Sequence, residues 1–268
     1  TSAYEKRGVA VMVPSWDPDK CIQCNSCAFV CPHAAIRPFL LTAEEAEKAP
    51  AGLKKAQGKA VLKEYSFALS VSVDDCTGCG NCVDVCPAKE KALTMVSALD
   101  QHSEQDNFNW LATKVGYKDT VVNKAANVKN SQFAQPLFEL SGACAGCGET
   151  PYIKNITQLF GDRMMIANAT GCSSIYGASF PASPYCTNAQ GHGPAWQNSL
   201  FEDNAEFGLG MKIGSDRARE TVANLMTAAL DCDKCPDEVK ALFRQWLENK
   251  ENGEITREVA DKVIPLME

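Results

Sequence analysis

The sequence has no excess of positive charge, no long apolar run and no apolar leader. Its 33 acidic residues outnumber 26 lysines and arginines, giving a net charge of −7. No net field draws in phosphate, so a basic nucleic-acid binder is excluded. The apolar runs, such as Val9 to Val13, fall far short of the roughly 20 residues a spanning helix needs, so no membrane partner is expected. No secretory-type apolar stretch follows Thr1, and a cytoplasmic setting is expected. Disorder and collagen-like composition are also excluded. The chain has 268 residues, 45% of them hydrophobic, which is enough apolar side chain for one or two domain cores.

Cysteine, by contrast, is plentiful, with 14 residues. They cluster at gaps of two and three residues. Neighbours that close rarely form disulfides, because the bridge restricts Cα separation and direction. Metal ligation by reduced thiolates is the better reading. Two runs repeat: Cys21, Cys24, Cys27 and Cys31 followed by Pro32, then Cys76, Cys79, Cys82 and Cys86 followed by Pro87. This is the C-x2-C-x2-C-x3-C-P run of two-cluster ferredoxins, in which three thiolates cap one cubane and the fourth ligates the other. One cluster therefore takes Cys21, Cys24, Cys27 and Cys86, and the second takes Cys76, Cys79, Cys82 and Cys31. Gly78, Gly80, Ser26 and Asn25 are small enough for backbone N–H groups to approach the sulfurs. A zinc ribbon also uses C-x2-C pairs, but as two separated pairs around one ion. Two full runs, each closed by proline, fit that poorly.

Cys144 and Cys147 form a further C-x2-C with Glu149 just after, and Cys172 follows a later predicted strand. A third cluster, a catalytic dithiol and a zinc site all remain open for this group. Cys186, or a residue beyond Glu268, would supply a fourth ligand. Cys232 and Cys235 read as an incidental pair, His33 as a surface or capping residue, and His192 as a hydrogen-bonded loop residue.

Strands are expected at Val9 to Val13 and Phe67 to Val73, one before each run. The charged insertion at about 41–64 reads as one or two short helices with solvated faces. Residues 101–135 read as a connecting or wrapping segment. Then come a strand at Pro136 to Leu140, a helix at Thr150 to Phe160, a strand at Arg163 to Asn168, and a long loop at Ser173 to Gly210. Helices are expected at Asp216 to Ala229 and Pro236 to Asn249. Alternating strand and helix is the α/β pattern, whose sites gather at the carboxyl ends of strands.

The stretches Ser141 to Tyr152, Ala169 to Tyr176 and Gly193 to Glu206, following a two-cluster module, resemble pyruvate:ferredoxin (or flavodoxin) oxidoreductase of the single-chain homodimeric type. The resemblance covers essentially the whole chain. It implies an α+β ferredoxin-like two-[4Fe–4S] domain at 1–117, followed at 118–268 by the N-terminal part of an α/β thiamine diphosphate-binding domain. It also implies that Cys144, Cys147 and Cys172 ligate a third [4Fe–4S] cluster whose fourth cysteine lies outside this chain. Glu149 and Cys172 would lie against thiamine diphosphate. The implied activity converts pyruvate, CoA and oxidised ferredoxin to acetyl-CoA, CO2 and reduced ferredoxin, with single electrons passing from hydroxyethyl-thiamine diphosphate through three clusters. Implied partners are ferredoxin or flavodoxin, the remaining domains of the same polypeptide, and a second copy in a homodimer, with pyruvate and CoA bound by other domains. No Gly-Asp-Gly motif with a later Asn, the element that holds Mg2+ and diphosphate in such enzymes, is present. The chain is therefore expected to be a segment of a larger oxidoreductase, inactive alone. A polyferredoxin-type carrier and an oxidoreductase for another 2-oxo acid are the rival readings. Lys54, Lys55 and Lys59 are candidates for docking an acidic electron acceptor.

Overall fold

The computed structural model describes residues 1–267, which divide into two compact units, residues 1–202 and 203–267. In the first unit the two cysteine runs occupy equivalent places. Strand β1 (Met12–Trp16) leads into the first run. Helix α1 (Ser26–Val30) lies within that run, and β2 (Ile36–Leu41) leaves it. After α2 (Ala43–Glu47) and the short β3 (Ala56–Gln57), β4 (Ser66–Val71) leads into the second run. Helix α3 (Asn81–Asp84) lies inside it, and β5 (Leu93–Ser97) leaves it. Pairing is crossed between the copies. β1 pairs antiparallel with β5, from Met12 opposite Ser97 to Trp16 opposite Leu93. β2 pairs antiparallel with β4, from Ile36 opposite Val71 to Leu41 opposite Ser66, and β3 adds to the other edge of β4. The strand entering each run is thus bonded to the strand leaving the other, which draws each run's fourth cysteine toward its partner's loop.

β2 is buried along its whole length because both faces of its sheet are covered. Ile36, Leu40, Phe67, Leu69 and Val71 share one core with Trp16, Cys27, Cys82 and Leu93. Phe39, Leu41 and Ala68 pack on the opposite side against Phe108, Leu111 and Val115. Those last three come from the polar segment expected to be a connection. It contains helix α4 (Ser103–Trp110), a π-helical turn at Leu111–Val115, and later α5 (Val128–Ser131). Many polar side chains face outward there, while a few apolar ones suffice to cover the sheet.

The first strand lies three residues later than its apolar run suggested, at Met12–Trp16, with Val9 and Val11 exposed. Pro136 to Leu140 forms no regular strand. It makes one bridge, Phe138 to Tyr185, and the Leu140 amide donates to the His33 carbonyl at 2.8 Å. Helix α6 (Thr150–Phe160) and strand β6 (Met165–Asn168) follow. The expected long loop holds a helical turn α7 (Cys172–Ser174) continued by a π-helical turn (Ile175–Ser179), and then strand β7 (Ala195–Asn198) parallel to β6. A ring cluster of Phe138, Tyr176, Tyr185 and Trp196 supports this crossover.

In the second unit α8 (Asn204–Leu230) begins twelve residues before the expected helix, α9 spans Asp237–Glu248, and an unexpected α10 runs Gly253–Met267. Val239, Phe243 and Val263 form its core with Met226, Ala229, Leu230 and Leu242 packed around them. No helix among the described residues is long and apolar enough to cross a membrane.

Candidate metal centres

Each run turns tightly because two of its residues adopt left-handed backbone. In the second run these are Gly78 (φ +68) and Gly80 (φ +81), and in the first they are Gln23 and Asn25 (both φ +60). Glycine is the low-cost choice at such positions, and at Gly78 a side chain would also meet the Met12 carbonyl at 2.8 Å. Gln23 and Asn25 are held there by their side chains. Gln23 Nε2 donates to the Gln57 carbonyl at 2.8 Å and Gln23 Oε1 accepts from the Lys59 amide at 2.9 Å. Asn25 Nδ2 donates to the Lys129 carbonyl at 2.9 Å. The charged insertion therefore fixes the first run through β3. As a result the Gln23 amide donates to Cys21 Sγ and the Gly78 amide to Cys76 Sγ, both at 3.4 Å.

The structure gathers the eight cysteines of the two runs around two cavities. Cys21, Cys24, Cys27 and Cys86 line one, walled by Trp16, Phe67, Leu69 and Leu93. Cys31, Cys76, Cys79 and Cys82 line the other, with Pro14, Ile36, Val71 and Met95. Each run gives three thiols to one cavity and its fourth to the other. Among the described residues, no three His, Cys, Asp or Glu side chains converge closely enough for a single metal ion. Four thiols drawn from both runs around each cavity suit a cage of several irons better than one zinc.

Buried polar atoms fit the same reading. Trp16 Nε1 beside the first cavity, and Thr77 Oγ1 and His33 Nε2 beside the second, are buried without a hydrogen-bond partner among the described residues. Indole and hydroxyl are donors, and cluster sulfurs accept such bonds. Burial, reinforced by neighbouring thiolates, pushes the Cys82 thiol up to about 12. Burial likewise pushes Cys76 up to about 12, although the Gly78 amide opposes it. Burial also raises Cys27, with the charge of Cys82 next in importance, so the two sets lie within electrostatic reach of each other.

His33 is not at the surface. It is 2% exposed, and its Nδ1 lies 3.0 Å from the Ser141 carbonyl. That contact fastens the residue just after the first run to the segment bearing Cys144 and Cys147. Gly146 (φ +71), between those two cysteines, faces Cys79 and Asn81 of the second run. Cys144 and Cys172 are exposed and Cys147 is half-buried. Cys172 sits just past the carboxyl end of β6, at the start of α7. One turn later, the buried Tyr176 hydroxyl is pushed up by burial and by the facing carboxylate of Glu149, with Cys147 also nearby. Glu149 is the residue before α6.

Cys186 lies elsewhere. Its thiol donates to the Pro136 carbonyl at 3.5 Å, and burial and Glu139 raise its pKa. Cys232 is exposed and Cys235 half-buried in the turn between α8 and α9. His192 is exposed in a turn in which its amide donates to Asn188 Oδ1 at 3.0 Å. Lys54, Lys55 and Lys59 each donate to a backbone carbonyl, of Trp16, Ala46 and Cys21 respectively.

Sequence reasoning passed over Gln23, Arg37, Glu139 and Lys154. Arg37 and Glu139 form a buried ion pair, and Arg37 also donates to Tyr117 Oη. An isolated arginine in the apolar stretch Ala34 to Leu41 is the signal that could have found it. Lys154 carried no such signal.

Known proteins resemble the chain at two levels. The family described as a 4Fe-4S dicluster domain matches residues 20–90. The pyruvate-flavodoxin oxidoreductase of Klebsiella pneumoniae is 57% identical over 98% of this chain and 22% of its own length. The pyruvate:ferredoxin oxidoreductase of Moorella thermoacetica is 53% identical over 100% of this chain and 23% of its own. A mitochondrial pyruvate dehydrogenase [NADP(+)] of Euglena gracilis is 45% identical over 98% of this chain and 14% of its own. The chain thus spans less than a quarter of the length of these curated relatives.

Proposed function

We propose that this chain, a homologue of one segment of the pyruvate:ferredoxin and pyruvate-flavodoxin oxidoreductases, is the part of such an enzyme that carries single electrons away from the site of pyruvate oxidation. The observation that carries the reading is the exchange of fourth cysteines between two cavities, each run contributing to both. Cys21, Cys24, Cys27 and Cys86 would hold one [4Fe–4S] cluster, and Cys31, Cys76, Cys79 and Cys82 a second. Cys144, Cys147 and Cys172 would hold a third, completed by a residue elsewhere in the full-length protein. When bound, the clusters supply low-potential one-electron chemistry, and thiamine diphosphate with Mg2+ supplies the decarboxylation chemistry.

The chain's own residues position, bury and tune these sites. The Gln23 and Gly78 amides donate to ligand sulfurs, which favours the anionic state. Trp16, Phe67, Ile36 and Val71 keep water from the cavities. The contact of Gly146 with Cys79, and the coupling of Cys27 to Cys82, support one order of use. That order runs from the Cys144/Cys147 loop to the second set and then to the first. Glu149 and Cys172 face the thiamine side in this reading. The rest of the polypeptide binds pyruvate and CoA, and two copies form a dimer. Lys54, Lys55 and Lys59, around the first set, receive a ferredoxin or flavodoxin. Relatives named for flavodoxin, ferredoxin and NADP all share this segment, which fits a common relay feeding different acceptors.

The test uses the full-length protein purified without oxygen. About twelve irons per chain are expected for three cubanes, with broad visible absorption that bleaches when pyruvate and CoA are added. A colourless protein, or one holding zinc, would refute the cluster assignment. Iron-loaded protein that pyruvate and CoA leave unreduced would refute the substrate.

A further inference from the structure

Helix α6 buries its polar face. Thr150, Lys154, Thr157 and Gln158 are buried, while Tyr152, Ile156 and Phe160 are exposed. Lys154 is among the largest fully buried side chains of the chain, at 2% exposure. Its ammonium donates to the carbonyls of Ala28 and Phe29, the latter at 2.9 Å. Those carbonyls belong to α1, the helix that joins the first run's three-thiol loop to its fourth cysteine. Cys27, within α1, lines one cavity, and Cys31, just after it, lines the other.

A buried cation is expensive unless something nearby carries the opposite charge. The other buried cation here obeys that rule, since Arg37 is paired with Glu139. Among the described residues, Lys154 has no such carboxylate. Burial pulls the Lys154 ammonium down to about 8; of the charged groups around it, Cys31 and Cys27, one from each cysteine set, favour its charge, and Arg37 opposes it. Four thiolates outweigh the charge of an iron–sulfide core, so each filled site is an anion, and reduction makes it more negative.

We propose that Lys154 is the shared counter-ion of the two iron–sulfur sites, and that its fixed charge at α1 holds both reduction potentials up. This rests on the cluster assignment proposed above. Lys154 touches carbonyls and not the reacting atoms, so it is a positioning and tuning residue. A cation held in a low-dielectric site favours the more negative, reduced state of a neighbouring anion. It also ties α6, whose first turn follows Glu149 and the Cys144/Cys147 pair, to the two-cluster module. The element nearest the electron source is thereby fastened to the relay through the residue that sets the relay's potential.

The experiment compares Lys154→Met, Lys154→Gln and Lys154→Arg with wild type in the full-length protein, by iron content and by potentiometric titration followed by electron paramagnetic resonance. Lys154→Met removes the charge, Lys154→Gln keeps N–H donors without charge, and Lys154→Arg keeps the charge. Both neutral variants are expected to bind wild-type iron, with the midpoints of the two module clusters lowered. The expected shift disfavours reduction about tenfold, which is about 59 mV for one electron. Lys154→Arg should stay near wild type. Should Lys154→Met fail to load iron, Lys154→Gln is read in its place. Failure of both neutral variants while Lys154→Arg loads iron also supports a charge role. Unchanged midpoints in an iron-loaded neutral variant, or an equal fall in Lys154→Arg, would overturn the proposal. Failure of all three to load iron would do the same, marking Lys154 as a structural tie alone. Wild-type protein without iron would instead sink the cluster assignment, so the two failures are distinct.

Discussion

Gly146 lies against Cys79: a side-chain Cβ placed on Gly146 would stand 3.7 Å from that of Cys79 and 3.8 Å from the Asn81 amide group. The loop carrying Cys144 and Cys147 therefore packs directly on the loop carrying Cys76, Cys79 and Cys82. Gly146 also has φ +71, a conformation side chains adopt only at a cost of about 1 kcal/mol or more. Gly146→Val should strain this loop and push it off the second run. In the full-length protein we expect unchanged iron in the two-cluster module but slower reduction of it by pyruvate, measured by stopped-flow absorption. A wild-type rate would show that electrons do not enter there.

The crossed strand pairing makes a sharper test of ligation. Cys31→Ala should abolish the same spectroscopic signal as Cys79→Ala, and Cys86→Ala the same signal as Cys24→Ala. Ligation by sequence neighbours would instead group Cys31 with Cys24. Iron analysis alongside resonance spectra of the four variants separates the two patterns.

Cluster assembly should depend on pH in a fixed direction. Without metal, burial pushes the Cys76 and Cys82 thiols up to about 12, so both hold their protons at neutral pH. Iron binds thiolates, so assembly expels those protons, and its equilibrium must strengthen as pH rises toward those values. Reconstitution of metal-free protein with iron and sulfide at limiting iron should give more cluster at pH 8.5 than at pH 7. A flat or falling yield would contradict the burial of these thiols.

Arg37 and Glu139 tie the ferredoxin-like sheet to the segment leading to Cys144. Their side chains are 7% and 12% exposed, so removing one strands the other's charge. Arg37→Leu should cost about 3–5 kcal/mol, read from the urea midpoint of the full-length protein's first unfolding transition. Arg37→Leu combined with Glu139→Leu should recover much of that loss. A single variant as stable as wild type would mean that water reaches the pair.

Spacing along the chain carried the cysteine chemistry. Three thiols within seven residues cannot avoid sharing a loop, and a proline after the fourth redirects the chain. Helix α6 was legible from end to end, because Pro151 opens it and no breaker interrupts it before Gly161. Its orientation was not legible. The apolar positions Tyr152, Ile156 and Phe160 recur at helical spacing and would ordinarily mark the inner face, yet they are exposed and Lys154 is inside. His33, read as a surface residue, is buried for a related reason: its partner is a carbonyl 108 residues away.

The sequence by itself determined the two thiol loops, since covalent spacing and glycine at Gly78 and Gly80 act locally. Only the tertiary structure decided the pairing of β1 with β5 and β2 with β4, the left-handed turn at Gln23 held by the insertion, and the burial of Lys154 against α1. Each of these depends on groups far apart in the chain. Hydrogen-bond satisfaction and charge at the cluster loops outweighed the local preference for burying apolar side chains.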